Sequence, residues 1–204
     1  MCIRTARATD TDAFIGLTSF IDLHVPESEV PSKFDALRDA LAIDPCGPLS
    51  HGFNHFLIAE KSDGTPVGAI ACGTPLWIFN HPKIPPFMQG MLLRRISCVQ
   101  TLAVHPDHRG QGIGTSLLRA AEATFTQCDY TVLTLRHERG LEDFYGPCGY
   151  TSANRLVIDL PPLGPVSVRD RGWSFAVKPL SSQVSFTDVY GYPVRVVTGA
   201  LTPA

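Results

Sequence analysis

The chain has 204 residues, enough for one sizeable core or for one domain with an appendage. Lys and Arg number 17 against 19 Asp and Glu, giving a formal net charge of −2, and only 18% of residues are charged. That balance leaves no basic footprint for nucleic acid. No apolar run approaches the length of a membrane span, and Met1 to Arg7 lack the basic-then-apolar order of a secretory leader. Neither nucleic acid nor a membrane is therefore expected as a partner.

In chain order, Ile3 to Ala8 reads as an opening strand. Thr9 or Asp10 is placed to cap a helix carrying Phe14, Leu17 and Ile21 on one face. Pro31-Ser32 opens a second helix with Phe34, Leu37 and Leu41, and Asp44-Pro45-Cys46-Gly47-Pro48 stops it. Phe56 to Glu60 and Val67 to Thr74 are apolar strand runs joined by a hairpin turn at Lys61 to Pro66. After a long segment, Pro75 to Arg95, comes a strand from Ile96 to Val104. A helix follows from Gly114 to Phe125, with Ile113, Leu117, Leu118, Ala121 and Phe125 as its buried stripe. Tyr130 to Leu135 is the next strand, Glu138 to Tyr145 a short helix, and Leu156 to Leu160 a closing strand. The tail beyond Pro161-Pro162-Leu163-Gly164-Pro165 holds two strand-like pieces, Trp173 to Val177 and Tyr192 to Val197. About forty residues are marginal for an independent domain, so residues 161–204 are expected to pack on the domain of residues 1–160 or on a partner subunit.

The six cysteines, Cys2, Cys46, Cys72, Cys98, Cys128 and Cys148, are scattered and form no Cys-x-x-Cys pair, which suits reduced thiols in a cytoplasm. His51/His55 and His105/His108 have metal-compatible spacings, but neither pair has a thiol or carboxylate placed to complete a site, so no metal is expected.

The stretch His105-Pro106-Asp107-His108-Arg109-Gly110-Gln111-Gly112-Ile113-Gly114 stands between a strand and an amphipathic helix. Three glycines in five residues let the backbone approach a ligand closely. The helix start adds unpaired N–H groups and the positive end of a dipole, which together suit a pyrophosphate. Neither the Walker loop nor the dinucleotide Gly-x-Gly-x-x-Gly fits these residues. The pattern Arg-x-x-Gly-x-Gly after Val-x-Pro-x-x-Arg-Gly resembles the acetyl-CoA pyrophosphate loop of the GNAT superfamily of N-acetyltransferases. The order β-α-α-β-β-β-α-β-α-β over residues 3–160 is also similar to that fold.

The resemblance implies an α/β (α+β) GNAT fold: a mixed central sheet splayed between its fourth and fifth strands, with helices on both faces and a short C-terminal appendage. It further implies that backbone groups of Leu102, Ala103 and Val104 pair with the pantetheine arm of acetyl-CoA, and that the pyrophosphate sits on the amides of Arg109, Gly110, Gln111, Gly112, Ile113 and Gly114. A second motif, Phe144-Tyr145-Gly146-Pro147-Cys148-Gly149-Tyr150, matches the family's Phe/Leu-Tyr-x-x-x-Gly-Phe/Tyr, whose tyrosine lies beside the thioester sulfur. A phenol of pKa about 10 is able to protonate a departing thiolate of pKa about 8–9, which makes Tyr145 the general acid.

The general base stays open. In the similar arylalkylamine acetyltransferases two histidines precede Leu-Ala-Val-His on the fourth strand; this chain has Leu102-Ala103-Val104-His105 but Cys98 and Gln100 at those places. Glu60, His137 and Glu138 are the candidates for reaching the amine through water, and Glu138 stands where the family often has asparagine. Cys98 would serve a covalent route, yet a strand cysteine is more often a small core hydrophobe. The insert Pro75 to Arg95, with Trp77, Phe79, Phe87, Met88 and Leu92, reads as an apolar lid over the acceptor or as a dimer contact.

The reading that follows is an acetyl-CoA-dependent transfer of an acetyl group to the primary amine of a small molecule, by direct attack in a ternary complex. A protein lysine or N-terminus as acceptor, and a non-catalytic acyl-CoA-binding regulatory module, are the alternatives. A second copy of the chain is a candidate partner.

Overall fold

The computed structural model of the chain describes residues 1–21, 30–42, 49 and 52–201. His51, Cys46 and the helix stop expected at residues 44–48 lie outside the described residues. Two compact units divide the chain: Met1–Cys72 with Gln100–Thr124, and Gly73–Val99 with Phe125–Ala204. A seven-stranded sheet has the order β1-β2-β3-β4-β5-β9-β6 and a four-stranded sheet the order β10-β11-β7-β8.

In the first unit, β1 (Cys2–Thr5), β2 (His55–Glu60) and β3 (Pro66–Gly73) are antiparallel, in register from Cys2↔Glu60 to Thr5↔Leu57 and from His55↔Cys72 onward. Helices α1 (Thr11–Thr18) and α2 (Val30–Ala42) bring Phe14, Leu17 and Leu41 onto Phe56, Ile58, Ala69 and Ala71, with Ala103 of the fourth strand in the same cluster. Odd-numbered residues of β3 face that cluster; even-numbered Gly68 faces the other way, as strand alternation requires. A Cβ on Gly68 would lie 3.0 Å from Ile113 Cγ2 and 3.1 Å from Leu117 Cδ1. Helix α5 (Ile113–Gln127) is thus set directly on the strand backbone, and the expected stripe Ile113, Leu117, Leu118, Ala121 and Phe125 is buried. Asp10 does not cap α1 through its side chain. Its carboxylate instead accepts from Arg4 Nη1 at 2.6 Å, Arg4 Nη2 at 2.9 Å and the Arg7 amide at 2.7 Å.

Strand β4 (Ile96–Val104) belongs to the second unit as far as Val99, and there it runs parallel to β5 (Val132–His137) from Ile96↔Val132 to Val99↔Leu135. There the ladder stops although both strands continue. The other side of β5 pairs antiparallel with β9 (Ser174–Pro179), from Val132↔Pro179 to His137↔Ser174, and β9 then pairs with the three-residue β6 (Thr151–Ala153).

The expected closing strand is therefore corrected. Leu156–Asp159 (β7) belongs to the four-stranded sheet, antiparallel to β8 (Pro165–Val168) and parallel to β11 (Val196–Thr198), which pairs with β10 (Ser185–Thr187). Its place beside β5 is taken from the tail. Ser174 to Val177 are all buried, the pattern of a strand covered on both faces.

The insert is also corrected. It folds as α3 (Trp77–Asn80) and α4 (Pro86–Leu93), whose Ile78, Met88, Leu92 and Leu93 are buried with Ile158, Val166, Phe175 and Val197, while Trp77 packs at the margin. Its apolar side chains fill a layer of this unit because the tail supplies the surface that covers them; Phe79 and Phe87 remain exposed. The short helix expected from Glu138 is only α6 (Glu142–Tyr145), since Gly140 takes φ +95° and interrupts it. Among the described residues, no helix is long and apolar enough to cross a membrane.

Candidate active site

In the first unit, β4 ends in the glycine loop. Ala103 points into the core at 1% exposure, while its neighbours Leu102 and Val104 are half-buried on the opposite face. A 3₁₀ turn over Pro106–His108 follows, capped by His105, whose Nδ1 accepts from the Asp107 amide at 3.3 Å. His105 is thereby occupied as a turn residue, and among the described residues no group of three or more His, Cys, Asp or Glu could hold a metal ion.

Arg109 behaves differently from a phosphate-facing cation. Its amide donates to Pro106 O at 3.2 Å, and its guanidinium donates to Val104 O at 3.1 Å and Phe20 O at 3.2 Å. The side chain ties the loop to the strand end and to the segment after α1. Gly110 and Gly112 take φ +74° and +75°, and a Cβ on either would meet nothing within 4 Å. Left-handed backbone at both positions bends the exposed loop into the start of α5 at Ile113. The first-turn amides of that helix have no partner further back along it. An exposed, glycine-turned loop at the positive end of a 15-residue helix fits an anionic diphosphate.

In the second unit, Tyr145 ends α6 at 8% exposure. Its ring lies 5.1 Å from His137, 4.9 Å from Phe144 and 5.9 Å from Tyr150, centroid to centroid. Burial pushes its hydroxyl up to about 12, with the nearby Cys148 adding to the rise. That hydroxyl makes no hydrogen bond to a described residue. His137 is fixed at both nitrogens: Nδ1 donates to the Glu138 carbonyl at 2.6 Å, and Nε2 is hydrogen-bonded to Ser152 Oγ at 2.9 Å. Cys98, beside Thr134 at the end of the ladder, is pushed up to about 11 by burial, so it is a thiol and not a nucleophilic thiolate. Glu60, in the first unit, is held by Arg4 Nε at 2.9 Å.

One group lay beyond sequence reasoning. Arg136 on β5 is ion-paired with Asp170 and stands 5.5 Å over the Trp173 ring. The pair is separated by 34 positions, and no local pattern announces it.

Residues 52–152 match the family described as the acetyltransferase (GNAT) domain. Solved structures of the same fold include a GNAT-family acetyltransferase of Staphylococcus aureus MU50, at 15% identity and TM-score 0.59 over 88% of this chain and 99% of that one. The acetyltransferase yncA of Salmonella typhimurium, solved with its cofactor acetyl-CoA, matches at 18% identity and TM-score 0.57, covering 93% of this chain and 98% of its own. The PaiA N-acetyltransferase of Thermoplasma acidophilum, solved with coenzyme A, matches at 16% identity and TM-score 0.56 over 87% and 98%. No curated protein matches the chain in sequence.

Proposed function

The chain belongs to the GNAT superfamily of N-acetyltransferases, and from that premise we propose that it moves the acetyl group of acetyl-CoA onto the primary amine of a small molecule by direct attack. The observation that carries the cosubstrate is the loop at Gly110 and Gly112, where two left-handed glycines lead into α5. Amides from Gly110 to Gly114 would hold the pyrophosphate, with Arg109 bracing the loop from behind. Backbone groups of Leu102, Ala103 and Val104 would align the pantetheine arm. The scattered cysteines, with Cys2, Cys98 and Cys128 as free thiols, support a cytoplasmic setting.

In this reading the amine nitrogen bonds to the acetyl carbonyl carbon, the C–S bond breaks, and the sulfur takes the Tyr145 proton while the amine proton leaves to water. Proton transfer from a Tyr145 hydroxyl raised to about 12 runs uphill to a thiolate of ordinary pKa, and burial, which raises thiols too, lessens that gap. Cys98, in the same unit, is raised to about 11. Neither His137, with both nitrogens bonded, nor Glu60, held by Arg4, supports a role as base.

The test is Tyr145→Phe, read as free thiol released under conditions where chemistry limits. Turnover falls about a hundredfold or more while acetyl-CoA affinity changes little. The wild-type hydroxyl keeps its proton until pH approaches about 12, so no rate loss from Tyr145 ionisation appears near pH 10. Wild-type turnover in Tyr145→Phe, or an alkaline fall near pH 10 that the variant abolishes, would remove the acid.

A further inference from the structure

We propose that Arg136 binds the acceptor and selects an amine that carries its own carboxylate, with Asp170 marking where that carboxylate pairs. This rests on the acetyltransferase reading above. Arg136 is the first residue of β5 past the parallel ladder, whose last pair is Val99↔Leu135. By strand alternation it shares a face with Thr134, which stands opposite Cys98. The next residue, His137, turns to the other face and touches the Tyr145 ring. Arg136 thus neighbours the contact partner of the proposed acid in the chain, with its side chain on the opposite face of the strand.

Its surroundings favour an anion. The side chain is 54% exposed, and its pairing with Asp170 is the one ion pair it makes among the described residues. Planar guanidinium offers five donors in a fork suited to carboxylate, and Trp173 at 5.5 Å orients the plane. Asp170 lies in the β8–β9 connection Arg169-Asp170-Arg171-Gly172-Trp173, where exposed Arg169 and Arg171 flank it. The basic side chains of this stretch outnumber Asp170, a balance that favours a carboxylate over a simple cationic amine, with the Glu142 carboxylate held apart by Ser174 Oγ at 3.3 Å. A half-exposed Arg–Asp pair is worth little by itself, so an incoming carboxylate is able to replace Asp170.

The experiment compares phenylalanine, tryptophan and methionine, each beside the amine left by its decarboxylation, by free-thiol release. The readout is the ratio of kcat/KM for acid over amine. At least one pair gives a ratio above about ten in the wild type. Arg136→Gln brings that ratio toward one, Arg136→Lys restores part of it, and Asp170→Asn raises it by removing the competitor. A panel in which no carboxylate-bearing acceptor is preferred or turned over, a ratio unchanged in Arg136→Gln, or a ratio lowered in Asp170→Asn would overturn the proposal. Calorimetry with acetyl-CoA separates the two readings: a chain that binds it and acetylates amines without regard to the carboxylate fails only the proposal about Arg136.

Discussion

At Gly112 a side chain would strain the backbone and strike no protein atom. The φ of +75° lies where L side chains rarely go, and the space around the missing Cβ is open to 4 Å. Gly112→Val should therefore straighten the loop and withdraw amides from the diphosphate, weakening acetyl-CoA about tenfold or more by calorimetry. A folded Gly112→Val variant with unchanged affinity would contradict the loop assignment. The loop was legible because its information is local: a proline that ends the strand, three glycines and a helical stripe lie within twenty residues. Arg109 was legible only as a residue. Its side chain turns inward to Phe20 O, 89 positions away, a partner that no spacing encodes.

Among elements, the insert shows where apolar content and purpose part. Large apolar side chains such as Trp77, Phe79, Phe87, Met88 and Leu92 between Pro75 and Arg95 announce burial, but not against what. Met88 is 1% exposed in the second unit's core, whereas Phe87 beside it is 77% exposed. Met88→Ala should lower unfolding stability by about 2–5 kcal/mol, while Phe87→Ser should stay within about 0.5 kcal/mol. Equal effects in chemical denaturation would mean that α4 presents a different face to the core. The exchange of β7 for β9 has the same origin. Leu156 to Leu160 and Phe175 to Val177 are both apolar strand runs, and periodicity identifies strands without naming their neighbours. β6, at three residues, leads away after α6, and the tail strand enters between it and β5. A sequence read in chain order assigns the nearer run to the sheet.

For the whole molecule, the strand and helix order from β1 to α6, apart from α3 and α4 in the insert, was written in hydrophobic period and turn residues, and the structure joins those strands in a mixed sheet with an interrupted β4–β5 ladder. The tail was legible as strands but not as part of the central sheet, because that depends on a partner forty residues upstream. Chemistry was legible in proportion to how local it is. Tyr145 sits in a seven-residue motif, while the Arg136–Asp170 pair and the occupied nitrogens of His137 emerge only from packing. The central claim is that acetyl transfer from acetyl-CoA to an amine is what this architecture does. Its most direct test follows free coenzyme A thiol and acetylated amine together, by absorbance and mass spectrometry, with the intact chain, acetyl-CoA and a panel of primary amines. The account predicts amine-dependent thiol release matched one-to-one by acetylamine. Acetyl-CoA bound but never consumed with any amine, or thiol released without acetylated product, would contradict it.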